Sequence, residues 1–415
     1  MANPVVPGAH LSQVRYEIRG ELARRARELE AGGREIVHLN IGNPGRFGLH
    51  APPAIRTAVA EGLAHSDAYC QEQGLTEARA AVMDQQRARA ARVPDIDHVF
   101  IGNGVSELID LALRALLEPR DEVLIPSPDY PLWSAATILN GGHPLYYPCP
   151  AENGHLPDPA ALEAMITPRT RALVVINPNN PTGAVYPREL LQQLVAIAER
   201  HGLLLLSDEI YDRIVYDGAR FEPLAPLAGD VPCLSFGGLS KVHRACGYRV
   251  GWVSLSGGSA ALGGYRDALQ LLAALRLCAN VPGQGAVQPA LENDASMDAR
   301  VAPSGRLQRA RQAVLDGVAG SDYLQLVKPM GALYAFPSVR ADVLLDFDDE
   351  VFALHLLEHE SVLLAPGSSF NHGDRRHLRL TLLPEPEQLA EVMERMERAL
   401  RAMAASQCRP AASVA

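Results

Sequence analysis

Six times between residues 98 and 255 the chain passes through a short apolar stretch and then stops on polar or small residues. The stretches are 98–101, 122–125, 172–176, 203–206, 234–236 and 248–255. Most are separated by segments with helical spacing, such as 106–117 and 187–201. A continuous apolar run has no polar face, so a strand made from it must be covered on both sides. Amphipathic helices supply that cover. The expected fold is therefore α/β, a domain whose mostly parallel sheet lies between helices. In open sheets of this kind ligands gather beyond the carboxyl ends of the strands, so the residues that end these stretches are where chemistry is expected.

After about Asn293 the texture changes. An Arg-rich helical pattern over 304–317 precedes a strand and turn at 331–337. A helix over 348–360, strands at 362–365 and 379–382, and a final amphipathic helix over 385–403 follow. That pattern reads as a smaller α+β domain. At the other end, 13–31 has helical spacing and stops at Gly32-Gly33, and a short strand at 36–41 enters the turn Gly42-Asn43-Pro44-Gly45. With 415 residues the chain is too long for one simple core. The division expected is a large domain over 46–295 and a discontinuous small domain made of 1–45 and 296–415. The tail from Ala404 is rich in Ala, Ser and Pro and is expected to fray.

Composition excludes several classes. The formal net charge is −10, and no stripe of Lys and Arg is present to neutralise phosphates, so nucleic acid is not an expected partner. No run is long and apolar enough to span a bilayer, and the N-terminus lacks a basic region followed by an apolar one. The six cysteines are dispersed with no C-x-x-C pair, so neither a disulfide framework nor a metal site is expected. These features together point to a cytoplasmic enzyme that meets no membrane.

The stretch ends carry a specific set of groups. Lys241 follows Cys233-Leu234-Ser235-Phe236-Gly237-Gly238-Leu239-Ser240, and Arg249 comes eight residues after it. Asn177-Pro178-Asn179-Asn180-Pro181-Thr182-Gly183 and Ser207-Asp208-Glu209-Ile210-Tyr211 close two further stretches. Taken singly each has a plain reading: a surface lysine, a helix-capping aspartate, a proline turn. Taken together they supply an amine, a fixed cation, an amide, a carboxylate and a phenol. A pyridoxal phosphate pocket needs that set: a lysine for the Schiff base, an acid for the pyridine nitrogen, and donors for the phosphate.

With these motifs the chain resembles the class I/II aminotransferases of PLP fold type I, and most closely their alanine aminotransferase subgroup. The resemblance covers roughly 11–403. It includes the full N-P-x-N-P-T-G motif and the stretches Leu39-Asn40-Ile41-Gly42-Asn43-Pro44, Pro128-Asp129-Tyr130-Pro131-Leu132-Trp133 and Arg276-Leu277-Cys278-Ala279-Asn280-Val281-Pro282. It implies that Lys241, Asp208 and Tyr211 are catalytic, with Asp208 against the pyridine nitrogen and Tyr211 and Asn180 on the ring oxygen. It implies that Arg249, Ser106, Ser240 and the backbone at Val105 hold the phosphate, and that Tyr130 stacks on the ring, with Trp133 as the competing aromatic. Arg379 would grip the substrate carboxylate with Gly42 and Asn180 beside it, while Arg375 and Arg376 read as a solvated loop. Tyr69 would reach the phosphate across a homodimer interface, and Tyr16 would close an N-terminal segment over a small substrate.

The reaction implied is transamination between an L-amino acid and a 2-oxo acid, with alanine/pyruvate and glutamate/2-oxoglutarate as the expected pairs. Alternatives that use the same carbanion chemistry are a specialised biosynthetic aminotransferase and a PLP-dependent lyase or oxidase. A cofactor-sensing regulator is a more distant one, because only about ten residues precede the resemblance, too few for a helix-turn-helix. The chain departs from the family pattern in four places. Gly238 stands where the family often has a phosphate-binding serine, His243 and Cys246 lie inside the lysine box, and the loop near His372 has little of the family's aromatic character.

Overall fold

The structure is a computed structural model and describes residues 5–15 and 20–407. After a two-residue strand β1 (Val37–His38), seven strands form the central sheet. They are β2 (Val99–Gly102), β3 (Glu122–Ser127), β4 (His143–Pro148), β5 (Thr170–Ile176), β6 (Leu204–Asp208), β7 (Cys233–Gly238) and β8 (Gly251–Ser256), in the spatial order β2-β8-β7-β6-β5-β3-β4. The pairs from β4 to β7 are parallel, and β8 alone runs antiparallel to its two neighbours.

The continuous apolar runs are explained by two buried faces. Leu124, Leu173, Val175 and Leu205 point into one core, while Val123, Ile125, Ala172, Val174, Ile176 and Leu206 point into the other. Alternate residues of one strand thus serve opposite cores, as a period of two requires. Each fully buried Leu, Ile or Val contributes roughly 1.5–3 kcal/mol against exposure.

A separate core gathers residues from both ends of the chain. Leu39 joins Val314 of the helix Arg306–Ala319, Phe352 and Leu356 of the helix Asp349–Glu360, and Met396 and Leu400 of the helix Pro386–Gln407. Six short strands lie here: β9 (Leu324–Gln325), β10 (Tyr334–Ala335), β11 (Ser338–Val339), β12 (Val362–Leu363), β13 (Ala365–Pro366) and β14 (Leu378–Thr381). They pair as β10-β14-β13, β9 with β11, and β1 parallel to β12. The helix Glu21–Ala31 packs Leu22 and Ala26 against Leu357 and Leu363, so the N-terminal segment lies on this core.

Two local expectations are corrected, and one strand was not anticipated. The N-terminal helix was expected over 13–31, but it begins at Glu21, after Gly20 in a non-helical conformation; Ala9–Gln13 is a separate 3-10 turn and Val14 is extended. The strand expected over 36–41 narrows to Val37–His38 because β12 offers only two partners, after which the chain turns toward the sheet. The strand β4 had no clear sequence signal, since Pro144 and Pro148 argue against a strand. It is tolerated because β4 is the edge of the sheet.

Candidate active site

Strand direction explains why distant motifs meet. The register places Asp208 beside Ile176 and Phe236, so β5, β6 and β7 end at one level. Gly102 and Gly238, the last residues of β2 and β7, both face Gly251, the first residue of β8. Because β8 is antiparallel, Arg249 just before it lies at the same sheet edge as the residues that follow β2, β5, β6 and β7. A cavity of about 640 Å³ opens there. Its walls include Gly42, Val105, Ser106, Tyr130, Asn180, Asp208, Tyr211, Ser240, Lys241, Arg249 and Arg379, all singled out in the sequence.

At one wall is an acid. Asp208 is buried, and the Trp133 indole Nε1 donates to its Oδ2 at 3.1 Å, with the Ile210 amide 3.3 Å from Oδ1. Burial pushes its carboxyl up to about 6, against the opposing pull of the Trp133 and Ile210 hydrogen bonds and the Lys241 charge. Trp133 does not line the cavity. It is fully buried, edge-on to Phe236 at 5.4 Å, so of the two competing aromatics only Tyr130 presents itself to the cavity.

At another wall is an anion cradle. The helix Val105–Leu116 starts after Gly104, whose φ of +88° suits glycine. The first N–H groups of a helix have no carbonyl within it to bond, and they carry the positive end of its dipole. Arg249, held in the left-handed region at φ +53°, donates to the carbonyls of Cys246 (2.9 Å) and Asn103 (3.2 Å). A Cβ at Gly104 would collide with that guanidinium. Ser240 lies beside it, and the Cys246 thiol donates to the Ser240 carbonyl at 2.8 Å. Gly238 could not simply be exchanged for serine, since a Cβ there would lie 3.0 Å from the Val250 carbonyl oxygen.

The third wall comes from the smaller core. Arg379, on β14, is buried between the rings of Tyr334 and Phe370, at 4.4 and 4.5 Å from their centroids. It donates to Asn180 Oδ1 at 3.1 Å and to the Asn40 carbonyl. The Lys241 amine donates to the Gly42 carbonyl at 2.7 Å, and a Cβ at Gly42 would collide with the Tyr334 hydroxyl. The Tyr211 hydroxyl donates to Tyr334 at 3.1 Å, and burial pushes the Tyr211 phenol well up. Sequence reasoning missed Tyr334, which touches or faces three of these groups. Its only signal was a tyrosine in the apolar run Ala332-Leu333-Tyr334-Ala335-Phe336, which reads as core.

Other expectations fall outside this cavity. Tyr69 is exposed and lines no part of it, and Tyr16 lies outside the described residues. Arg375 fits the solvated loop expected of it, pairing with Asp348 and Glu350. Arg376 does not. It donates to the carbonyls of Val339 and Arg340, both at 2.9 Å, and lies over the Phe347 ring. His243 bonds Asp294 at 2.7 Å, both buried and away from the cavity.

The donor set suits the pyridoxal phosphate that the resemblance implies. A buried carboxylate matches a protonated pyridine. A helix start with an arginine against a glycine that leaves room for no Cβ matches a phosphate dianion, and a lysine amine opens on the same space.

A family model described as aminotransferase class I and II matches residues 34–396. The chain is 47% identical over 393 residues to an alanine aminotransferase of Mycobacterium tuberculosis, covering 94% of this chain and 91% of that protein. It is 42% identical over 398 residues to the glutamate-pyruvate aminotransferase AlaA of Escherichia coli K12, covering 96% and 98%. Among solved structures, an Escherichia coli aminotransferase superposes with a TM-score of 0.94 at 42% identity over 96% of this chain and 99% of that one. An alanine aminotransferase from Pyrococcus furiosus gives 0.88 at 32% identity over 96% and 100%.

Proposed function

The chain belongs to the class I and II aminotransferases, and from that premise we propose that it exchanges the amino group between alanine/pyruvate and glutamate/2-oxoglutarate. The observation that carries this reading is that one cavity collects an amine, a buried acid, an anion cradle and a buried arginine from four separate stretches of sequence. The relatives named for alanine or pyruvate support the substrate pair.

Pyridoxal phosphate is the cofactor of this family; when bound, it supplies an aldehyde that links to amines and a ring that withdraws electrons. Arg249, Ser106, Ser240 and the amide end at Val105 would hold its phosphate, Tyr130 would lie against its ring, and Asn180 and Tyr211 would donate toward its oxygen. Asp208, oriented by Trp133, keeps the ring nitrogen protonated. Arg379 and the backbone at Gly42 hold the substrate carboxylate, and Lys241 carries a proton to and from the substrate α-carbon. In our reading 46–295 forms the cofactor-holding domain, with the rest of the chain closing on it. The exposed Tyr69 completes the phosphate site of a second copy in a homodimer, and the enzyme works in the cytoplasm. Among the described residues no helix is long and apolar enough to cross a membrane.

The test is a half-reaction. Adding L-alanine to the cofactor-loaded protein should change the cofactor's visible absorbance and yield pyruvate, and 2-oxoglutarate should restore the spectrum. Ammonia or peroxide released without an acceptor oxo acid would instead indicate elimination or oxidation, and the transaminase reading would be wrong.

Two substitutions probe separate parts of the site. Arg379→Lys keeps the charge but loses the planar pair of donors, so kcat/KM for alanine should fall roughly 10²–10³-fold, mostly through KM. Steady-state kinetics check this; an unchanged KM would remove Arg379 from carboxylate binding. Trp133→Phe removes one hydrogen bond to a charged group, worth about 1.5–3 kcal/mol, and should lower kcat roughly 10–100-fold with KM little changed. A fall in KM affinity instead of kcat would show that the indole only supports packing.

A further inference from the structure

We infer that the loop between the 3-10 turn Gly367–Phe370 and β14 holds a divalent transition-metal ion, with His372, Asp374 and His377 as its protein ligands. The ligand atoms of these three residues come within 4.8 Å of one another. One pair is nearer still: His377 Nδ1 lies 3.4 Å from Asp374 Oδ2. A tetrahedron with metal–ligand bonds of about 2.0–2.2 Å has edges of roughly 3.3–3.6 Å, so one edge is already at that length. The other two edges lie within 4.8 Å, so closing them requires at most about 1.5 Å of movement.

The burial of His377 points the same way. The residue is 5% exposed, and its Nδ1 is shielded from water with Asp374 Oδ2 at 3.4 Å as its ion-pair contact. A cation between the two would engage both the ring nitrogen and the carboxylate, which in its absence face each other without an aligned hydrogen bond. The ring is fixed in place by stacking on Phe336 at 4.8 Å and 20°, and His372 meets it edge-on at 4.5 Å.

His155 stands behind, its ring 6.4 Å from that of His377. Its Nδ1 faces the Cys149 carbonyl at 3.2 Å, which can only accept, so Nε2 carries the free lone pair. Two imidazoles and one carboxylate suit zinc and its neighbours in the transition series, with water completing the shell; magnesium and calcium prefer all-oxygen sites. None of these residues belongs to the cofactor cavity. The site would instead clamp the loop to the start of the strand that carries Arg379.

The test is calorimetric titration of Zn2+ into the full chain loaded with cofactor and free of affinity tags. One equivalent should bind, and His372→Ala and Asp374→Asn should each weaken it at least about 10–100-fold. Both residues lie on a loop, and the thermal midpoint without zinc will report whether the variants fold. His359→Ala is the control, because His355 and His359 stack at 4.2 Å on the helix Asp349–Glu360 and offer a competing surface pair. Absence of a stoichiometric site in the parent protein would overturn the inference. So would equal binding by His372→Ala, or loss of binding in His359→Ala.

Discussion

Lys241→Ala is expected to fold, to keep the cofactor by its phosphate contacts, and to form 2-oxo acid at least ~10⁴-fold more slowly than the parent chain. The size of the loss follows from two jobs on one amine, anchoring the cofactor and shuttling the proton. Folding should survive because Lys241 is only part-buried and, among the described residues, its side chain donates to the Gly42 carbonyl alone. Lys241→Arg separates charge from chemistry. It keeps a cation at the same place but cannot release a proton at neutral pH, so it should be as inactive as the alanine variant. Single-turnover assays with L-alanine would read both. Recovery of a tenth or more of the activity in the arginine variant would mean that position 241 supplies only positive charge.

The large sheet was legible because both its faces are buried, which leaves uninterrupted apolar runs such as 172–176 and 203–206. The edge strand β4 was not, since an edge tolerates the prolines that a central strand excludes. The site was legible where chemistry demands rare residue types at strand ends, as at Lys241, Asp208, Asn180 and Arg249. It was illegible where a side chain acts through tertiary contact alone. Tyr334 looks like any aromatic of a short strand, yet it faces Arg379, bonds Tyr211 and leaves no room for a side chain at Gly42. Trp133 looked like a stacking candidate, and only its burial edge-on to Phe236 turns its indole onto Asp208. The His372 loop differed from the family pattern in sequence, but what that difference brings together depends on His377 being buried under Phe336.

Asp208→Asn should show function and stability opposed at one atom pair. The carboxyl sits at about 6 in the folded chain against 3.8 for the unperturbed group. A raised folded-state value means that the folded chain binds this proton more tightly than the unfolded one. Apoprotein stability therefore falls as pH rises from about 4 through 6, and the full penalty, about 3 kcal/mol, applies above that. Asparagine is never charged, so the variant apoprotein should be more stable at pH 8 by about 1–3 kcal/mol, the lower figure allowing for poorer hydrogen bonding to Trp133 and Ile210. The advantage should shrink by roughly 1–1.5 kcal/mol between pH 8 and pH 5. Turnover should move the other way, down about 10³-fold, because a neutral amide cannot hold a proton on the ring nitrogen. Cofactor addition should also raise the melting temperature of the parent more than that of the variant, since the ion pair formed with Asp208 offsets the burial penalty only when the carboxylate is present. Denaturant unfolding of the two apoproteins at pH 5 and pH 8 decides the matter: if the asparagine variant gains nothing at pH 8, the cavity does not hold Asp208 under the strain that its role as acid partner requires.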